Sequence, residues 1–255
     1  MSGAERLGEA LVPGVRVVRL SGSVRIEIEA GRAEVGGAKA GDELDARVEA
    51  EWARKRAINP RFFDAPVLSV RGIDAAAGVV RCVVERYKRL VVQPEVETGV
   101  RQLSVTGVVV ARDGNGAERV LLGRRSHRTR MYGGMWQNCP AGGIDPEPGV
   151  VTRGGVMNQG AIAAELMREV EEEAGLTVRE VGRPVAIIYD ETARSHDLIV
   201  PVDVGEVPAT VRGWEYDELR WVKTGEVAAF EVGEGGGGTI MAITRAVFRV
   251  MGWVG

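Results

Sequence analysis

The sequence predicts an α/β protein: an α/β/α sandwich around a mixed sheet, preceded by a small α+β part. Three observations carry this expectation. Val24, Ile26 and Ile28 alternate with Arg25, Glu27 and Glu29, the two-residue period of a strand. Asp113-Gly114-Asn115-Gly116 separates two apolar runs and is a hairpin signal. Leu166 and Val170 lie on one side of an acidic stretch that Gly175 ends, the signature of an amphipathic helix with a C-terminal glycine cap.

In chain order, residues 1–14 look loosely attached, and 15–29 read as a strand. Residues 31–41 are a small-residue loop, and 42–56 a helix with Leu44, Val48 and Trp52 at four-residue spacing. Strands are expected at 67–70 and 79–84, joined by a turn at 74–78, with a connection at 93–99. The hairpin strands cover 103–111 and 119–124. A basic loop, 124–130, leads to a strand entering Ala141-Gly142-Gly143, and a long loop then precedes the acidic helix. Paired strands follow at 185–189 and 198–202, with another at 218–222. The glycine run 233–238 reads as a linker more than a lid. Thr239 is expected to cap a final helix whose inner face is Ile240, Ile243, Val247 and Val250. Residues 1–100 and 101–255 are expected to be an extension and a main domain, and no internal repeat is visible.

Composition narrows the function classes. The 255 residues are 45% apolar and 27% charged, with a net charge of −3, which gives no electrostatic case for nucleic acid or membrane as partners. Cys82 and Cys139 do not make a disulfide framework. No apolar run approaches a membrane span, and the N-terminus lacks a signal-peptide core. A cytoplasmic location is therefore expected. Two histidines, His127 and His196, argue against a histidine zinc site.

The chemistry concentrates in Arg168-Glu169-Val170-Glu171-Glu172-Glu173-Ala174-Gly175-Leu176. Helical spacing places Glu165, Glu169, Glu172 and Glu173 on one stripe. Like charges there repel, and a divalent cation is the simplest compensation; a solvated acidic face is the plainer alternative. The paired glycines Gly142 and Gly143 upstream allow backbone to approach a ligand closely. Glycine turn plus clustered carboxylates suit a diphosphate–magnesium site.

These residues resemble the Nudix hydrolase superfamily, whose box ends Arg-Glu-U-x-Glu-Glu-x-Gly-U with U aliphatic. Arg168, Glu169, Val170, Glu172, Glu173, Gly175 and Leu176 match every specified position. Ala141-Gly142-Gly143, Leu121 to Arg125 and Trp221-Val222 resemble the flanking strands, so the likeness covers about residues 101–255. The first half departs: about eleven residues are inserted between Gly143 and Arg168, and Gly160 stands where the box has its first glutamate, with Glu165 as a substitute. More loosely, Asn59 to Pro66 and Glu85 to Arg89 resemble the leader of the UDP-glucose pyrophosphatase branch.

The resemblance implies hydrolysis of a diphosphate linkage in a nucleoside diphosphate derivative, with a UDP-sugar favoured. It implies Mg²⁺, or Mn²⁺, held by Glu169, Glu172 and Glu173, with Arg168 orienting a carboxylate. Gly142, Gly143, Arg124 and Arg125 are the expected substrate contacts, the arginines being part of a basic run with His127, Arg128 and Arg130. The general base is left open among a box glutamate, Glu191 and Glu218. Phe62, Phe63, Trp136 and Trp214 read as packing residues more simply than as ligand platforms. A homodimer is the oligomer the resemblance suggests. The alternatives are a catalytically weak Nudix domain serving as a ligand sensor or scaffold, and an isomerase using Cys139, which two histidines disfavour.

Overall fold

The computed structural model describes residues 8–29, 38–146, 148–211, 213, 215–233 and 238–255. Of the small-residue loop expected at 31–41, residues 31–37 lie outside the described residues and 38–41 are helix; residues 234–237 of the glycine run at 233–238 and Trp214 also lie outside them.

The chain opens with a hairpin, β1 (Glu9–Val12) and β2 (Val15–Arg19), so residues 9–12 are ordered strand, not a loose end. The expected strand at 15–29 is two strands, because β3 (Arg25–Glu29) leaves β2 and pairs elsewhere in the sheet. Helix α1 (Ala38–Ile58) is longer at both ends than its four-residue apolar spacing implied. Its Val48 and Trp52 pack with Val91, Val92 and Val96, and Phe62 stacks on Trp52 at 5.9 Å. Phe63 is 74% exposed, so it is not the packing residue expected. Next come β4 (Pro66–Asp74), β5 (Val79–Arg86), the short helix α2 (Tyr87–Val91), and the long hairpin β6 (Gln102–Arg112) and β7 (Glu118–Arg125).

β8 (Trp136–Asn138) and β9 (Ala141–Gly143) add to β7 and β6. The expected long loop holds α3 (Pro148–Arg153) and β10 (Gly155–Met157), and β10 pairs with β3. The inserted residues thus extend the sheet rather than hang from it. Helix α4 (Gln159–Ala174) is the acidic helix. After it come β11 (Glu180–Val181), β12 (Ala186–Asp190), β13 (Ser195–Glu206), β14 (Tyr216–Lys223), α5 (Val227–Glu231) and α6 (Ala242–Val250). Thr239 does not cap α6. The helix starts after Met241, and the Thr239 carbonyl instead accepts from the Trp136 N–H at 2.9 Å.

The described strands join one mixed sheet, ordered β1-β2-β12-β13-β6-β4-β5-β3-β10, with β7, β8, β9, β11 and β14 branching from that path. β13–β6 and β3–β5 are parallel, and the other pairs antiparallel. Strands from both sides of residue 100 share it. One face of β6 presents Leu103, Val105 and Val109 to a core that includes Ile162, Leu166 and Val170 of α4. The other face presents Val108 to a core that includes Ile243, Ala246 and Val247 of α6. The result is the α/β/α sandwich. Among the described residues no helix is long and apolar enough to cross a membrane.

Gly107 sits under α4, where an added Cβ would lie 3.2 Å from both Leu166 Cδ1 and Pro140 Cδ. The missing side chain lets Leu166 reach the strand, and Leu166 is fully buried. Leu166→Ala is therefore expected to cost about 2–5 kcal/mol in denaturant unfolding. Met167→Ala, next in sequence but 45% exposed, should stay within about 0.5 kcal/mol of the parent.

Candidate active site

Helix α4 is set by its ends. The Asn158 side chain accepts from the Ala161 N–H at 3.1 Å, and Gly175 takes a left-handed conformation at φ 65° while its N–H bonds the Glu171 carbonyl. With Ile162, Leu166 and Val170 turned to the sheet, the acidic stripe lies beside the glycine edge of β9.

Arg168 stands among three of the stripe's carboxylates. Its guanidinium donates to Glu165, Glu169 and Glu172, each at 2.6 Å. Without any cation, this arginine already relieves the repulsion expected along the stripe, and Glu165 is one of the groups that hold it. Glu172, 57% exposed, faces outward on Arg168.

Glu173 turns the other way and is buried. The Tyr216 hydroxyl donates to it at 2.9 Å. Burial, the neighbouring Glu169 and the charge of Glu215 push its carboxyl up to about 9. Tyr216 in turn accepts from Gln137 Nε2 at 3.1 Å, and Gln137 Oε1 accepts from Arg125 at 3.0 Å. A continuous polar chain thus runs from Arg125 to Glu173 through the strand layer.

Arg125 opens onto a cleft of about 670 Å³ on the α6 side of the sheet. Its floor is polar where the strands are otherwise apolar: Ser104 and Thr106 from β6, Asn138 from β8, Ser195 and Asp197 from β13. Gly142 and Gly143 lie at its edge, and Arg128, Arg130 and Tyr132 come from the basic loop. Arg61 and Tyr87 enter from the N-terminal part. Asp197 accepts from Thr106 Oγ1 at 3.1 Å and Ser195 Oγ at 2.8 Å. Burial raises its carboxyl to about 6 despite those two bonds, with Asp190 adding to the rise. Asp190 accepts from the Tyr132 hydroxyl at 2.8 Å and from the Thr192 and Ala193 N–H groups. Both amide atoms of Asn138 are buried without a partner.

The other sequence candidates fall as follows. Arg124 does not line the cleft; it faces Glu218 at 3.5 Å. Glu191 pairs with Arg16 at 3.2 Å, and neither it nor Glu218 reaches the cleft. Glu215 does, and burial raises its carboxyl, with Arg125 opposing and Glu169 reinforcing the rise. Trp136 is core, edge-on to Phe230 at 5.4 Å. Cys139 is fully buried beneath the sheet and its thiol is pushed well up by burial, unlike an exposed reactive thiolate. His196 is buried with its imidazole pushed down to about 3. Sequence reasoning passed over Ser104, Thr106 and Asp197. The available signal was polar side chains at every second position of an apolar strand.

Among the described residues no three histidine, cysteine or acidic side chains stand together as a formed metal cluster. What stands together is the Glu169–Glu173 pair beside Gly142, where an added Cβ would lie 3.5 Å from Glu169 Oε2. Magnesium asks for one or two carboxylates and keeps waters for the rest. The glycine leaves room before Glu169, so the residues fit that ion.

A family model, the NUDIX domain, matches residues 100–241. The chain belongs to the NUDIX domain family. It is thereby a pyrophosphohydrolase, and the family acts on nucleoside diphosphate derivatives. Similar solved structures include a MutT protein from Methanosarcina mazei Go1, 25% identical, covering 58% of this chain and 89% of that one, with a TM-score of 0.39. A Nudix hydrolase from M. smegmatis, RenU, is 22% identical over 59% and 83%, with a TM-score of 0.38. The NUDIX domain of Shewanella oneidensis NrtR, complexed with ADP ribose, is 14% identical over 58% and 84%, with a TM-score of 0.41. No curated protein matches the chain.

The raised Asp197 carboxyl fixes the sign of a pH effect. Below its unfolded value near 3.8 both states are protonated. As pH rises from there to about 6, the unfolded chain ionises first and the folded state loses stability. Asp197→Asn removes this loss. Its unfolding free energy should gain on the parent between pH 4 and about 6 and level off above. Thermal unfolding at fixed ionic strength across that range checks it; a constant offset would contradict it.

Proposed function

We propose that this Nudix hydrolase cleaves the diphosphate of a nucleoside diphosphate derivative with Mg²⁺ or Mn²⁺, UDP-sugars being the favoured class. The observation that carries the reading is the pairing of half-buried Glu169 with buried Glu173 beside the glycine edge of an arginine-lined cleft. In this reading residues 101–255 form the hydrolase domain and 1–100 an extension to it.

Glu169, Glu172 and Glu173 are the residues assigned to hold the metal. A divalent metal held there would supply charge to neutralise the diphosphate and to activate water. Arg168 keeps Glu169 aimed along the helix and holds Glu172 ready to turn inward from the surface. Gly142 and Gly143 let the diphosphate approach the sheet edge, and Arg125 meets it from the cleft side. Tyr216 fixes the rotamer of Glu173 by donating to it. Glu215, raised by burial and open to the cleft, has the chemistry of a general base. What supports UDP-sugars is the resemblance of Asn59 to Pro66 and Glu85 to Arg89 to the leader of the UDP-glucose pyrophosphatase branch.

The first experiment is Mg²⁺-dependent phosphate release in a phosphatase-coupled assay. Its panel holds UDP-glucose, UDP-galactose, ADP-ribose, NADH, diadenosine polyphosphates and nucleoside triphosphates. Preferential cleavage of UDP-sugars to UMP and sugar phosphate is expected. Turnover of another member would replace the substrate class, and silence from folded protein would leave the domain a ligand sensor or scaffold. On the best substrate, Glu172→Gln is expected to lower kcat at least about 100-fold with an unchanged melting temperature. Near-parental turnover in that variant would remove Glu172 from the metal set.

A further inference from the structure

Arg61 lies outside the matched NUDIX domain, yet it lines the cleft. Its position is fixed from both sides. Asn59 Oδ1 accepts from the Arg61 N–H at 3.1 Å, and Phe62 is stacked on Trp52. Three residues on, Asp64 accepts from the Lys88 N–H at 3.1 Å and from Arg86 Nε at 2.9 Å, while Ala65 takes the Tyr87 N–H at 2.8 Å. The segment is pinned to the start of α2, and Tyr87 lines the same cleft.

The charges of the cleft are unequally used. Arg125 is committed to Gln137 and to the Met131 carbonyl. Asp190 and Asp197 are satisfied by hydroxyls and backbone N–H groups. Among the described residues, the guanidinium groups of Arg61, Arg128 and Arg130 have no hydrogen-bond or ion-pair partner, unlike Arg16, Arg86, Arg89, Arg119, Arg168 and Arg194. Three exposed arginines thus lie around one concavity against one remaining acid, Glu215, an excess of positive charge that suits an anion. In the reading proposed above, on which this inference rests, the diphosphate meets metal at the α4 end and Arg125 at the cleft edge. That leaves these three cations without a charge to meet.

We propose that Arg61, Arg128 and Arg130 form a second anion subsite, which selects nucleoside diphosphate derivatives bearing a further carboxylate or phosphate beyond the diphosphate. Arg61 is the specificity-determining member, supplied by the N-terminal extension. The extension is then part of the substrate site as well as of the sheet.

The test uses two pairs of compounds, each differing in one anionic group. UDP-glucuronate against UDP-glucose reports a carboxylate, and 2′-phospho-ADP-ribose against ADP-ribose reports a phosphate. Affinities are measured by calorimetry on the full chain in EDTA, and kcat and KM separately with Mg²⁺. In at least one pair the anionic member should bind about tenfold or more tightly, the size of a lost charge-assisted contact. Arg61→Gln should collapse that ratio through KM rather than kcat, and Arg61→Lys should restore part of it. Arg128→Gln, in the basic loop, should lower the same ratio independently.

A ratio unchanged in Arg61→Gln and Arg128→Gln overturns the subsite. So does an equal loss for both members of a pair, since the arginines would then hold the diphosphate itself, and so does failure of all four compounds to bind. The reaction and the subsite fail separately: absent turnover with an Arg61-dependent binding ratio rejects the hydrolysis reading and keeps the subsite.

Discussion

The parallel pairing of β6 with β13 runs in one register from Ser195 opposite Gln102 to Asp203 opposite Val110, and both faces of the molecule inherit it. Leu103, Val105, Gly107 and Val109 serve the α4 face; Ser104, Thr106 and Val108 serve the α6 face. A slip of one residue would exchange these sets. It would place the hydroxyls that bond Asp197 under the acidic helix and remove the gap at Gly107 into which Leu166 fits. The register therefore sets the depth of α4 and the polarity of the cleft together.

Two electrostatic environments on one helix follow from the depth of α4. On α4, Arg168 binds three carboxylates at the surface, where solvent screens them. Inside, Glu173 loses solvation and stands against Glu169 and Glu215, with a tyrosine hydroxyl as its donor, so its carboxyl holds its proton to a much higher pH. The same helix thus carries carboxylates held by an arginine toward solvent and a buried one held by a tyrosine hydroxyl. Magnesium is compatible with both kinds, since it accepts few protein ligands and retains its waters.

Much of this was legible in the sequence, and the reasons differ by element. Helix α4 was legible because its period, its asparagine start and its glycine end are local signals. The β6–β7 hairpin was legible from the Asp113 to Gly116 turn. β10 was not, because Gly155-Val156-Met157 has no strand pattern of its own and exists only through pairing with β3, more than a hundred residues away. The box residues of α4 were readable from their spacing. The cleft was not, since Arg61, Ser104, Asn138 and Asp197 are distant in sequence and meet only through sheet order. Arg124 and Arg125 belong to one basic run, and in sequence both read as substrate contacts. Neighbouring strand residues face opposite ways, and only Arg125 reaches the cleft.

The inserted segment has a further effect at the rim of the sheet. An open sheet exposes unpaired N–H and C=O groups at its outermost strands, a template for joining another chain. Here the main path ends in β10 at one side, three residues long, and in β1 at the other, four residues long with an irregular register. The longer free edge of β14 carries Asp217, Glu218, Arg220 and Lys223. Brief or charged borders resist edge-to-edge growth, so the insertion, by supplying a three-residue border strand, works against edge-to-edge aggregation of a β-rich protein.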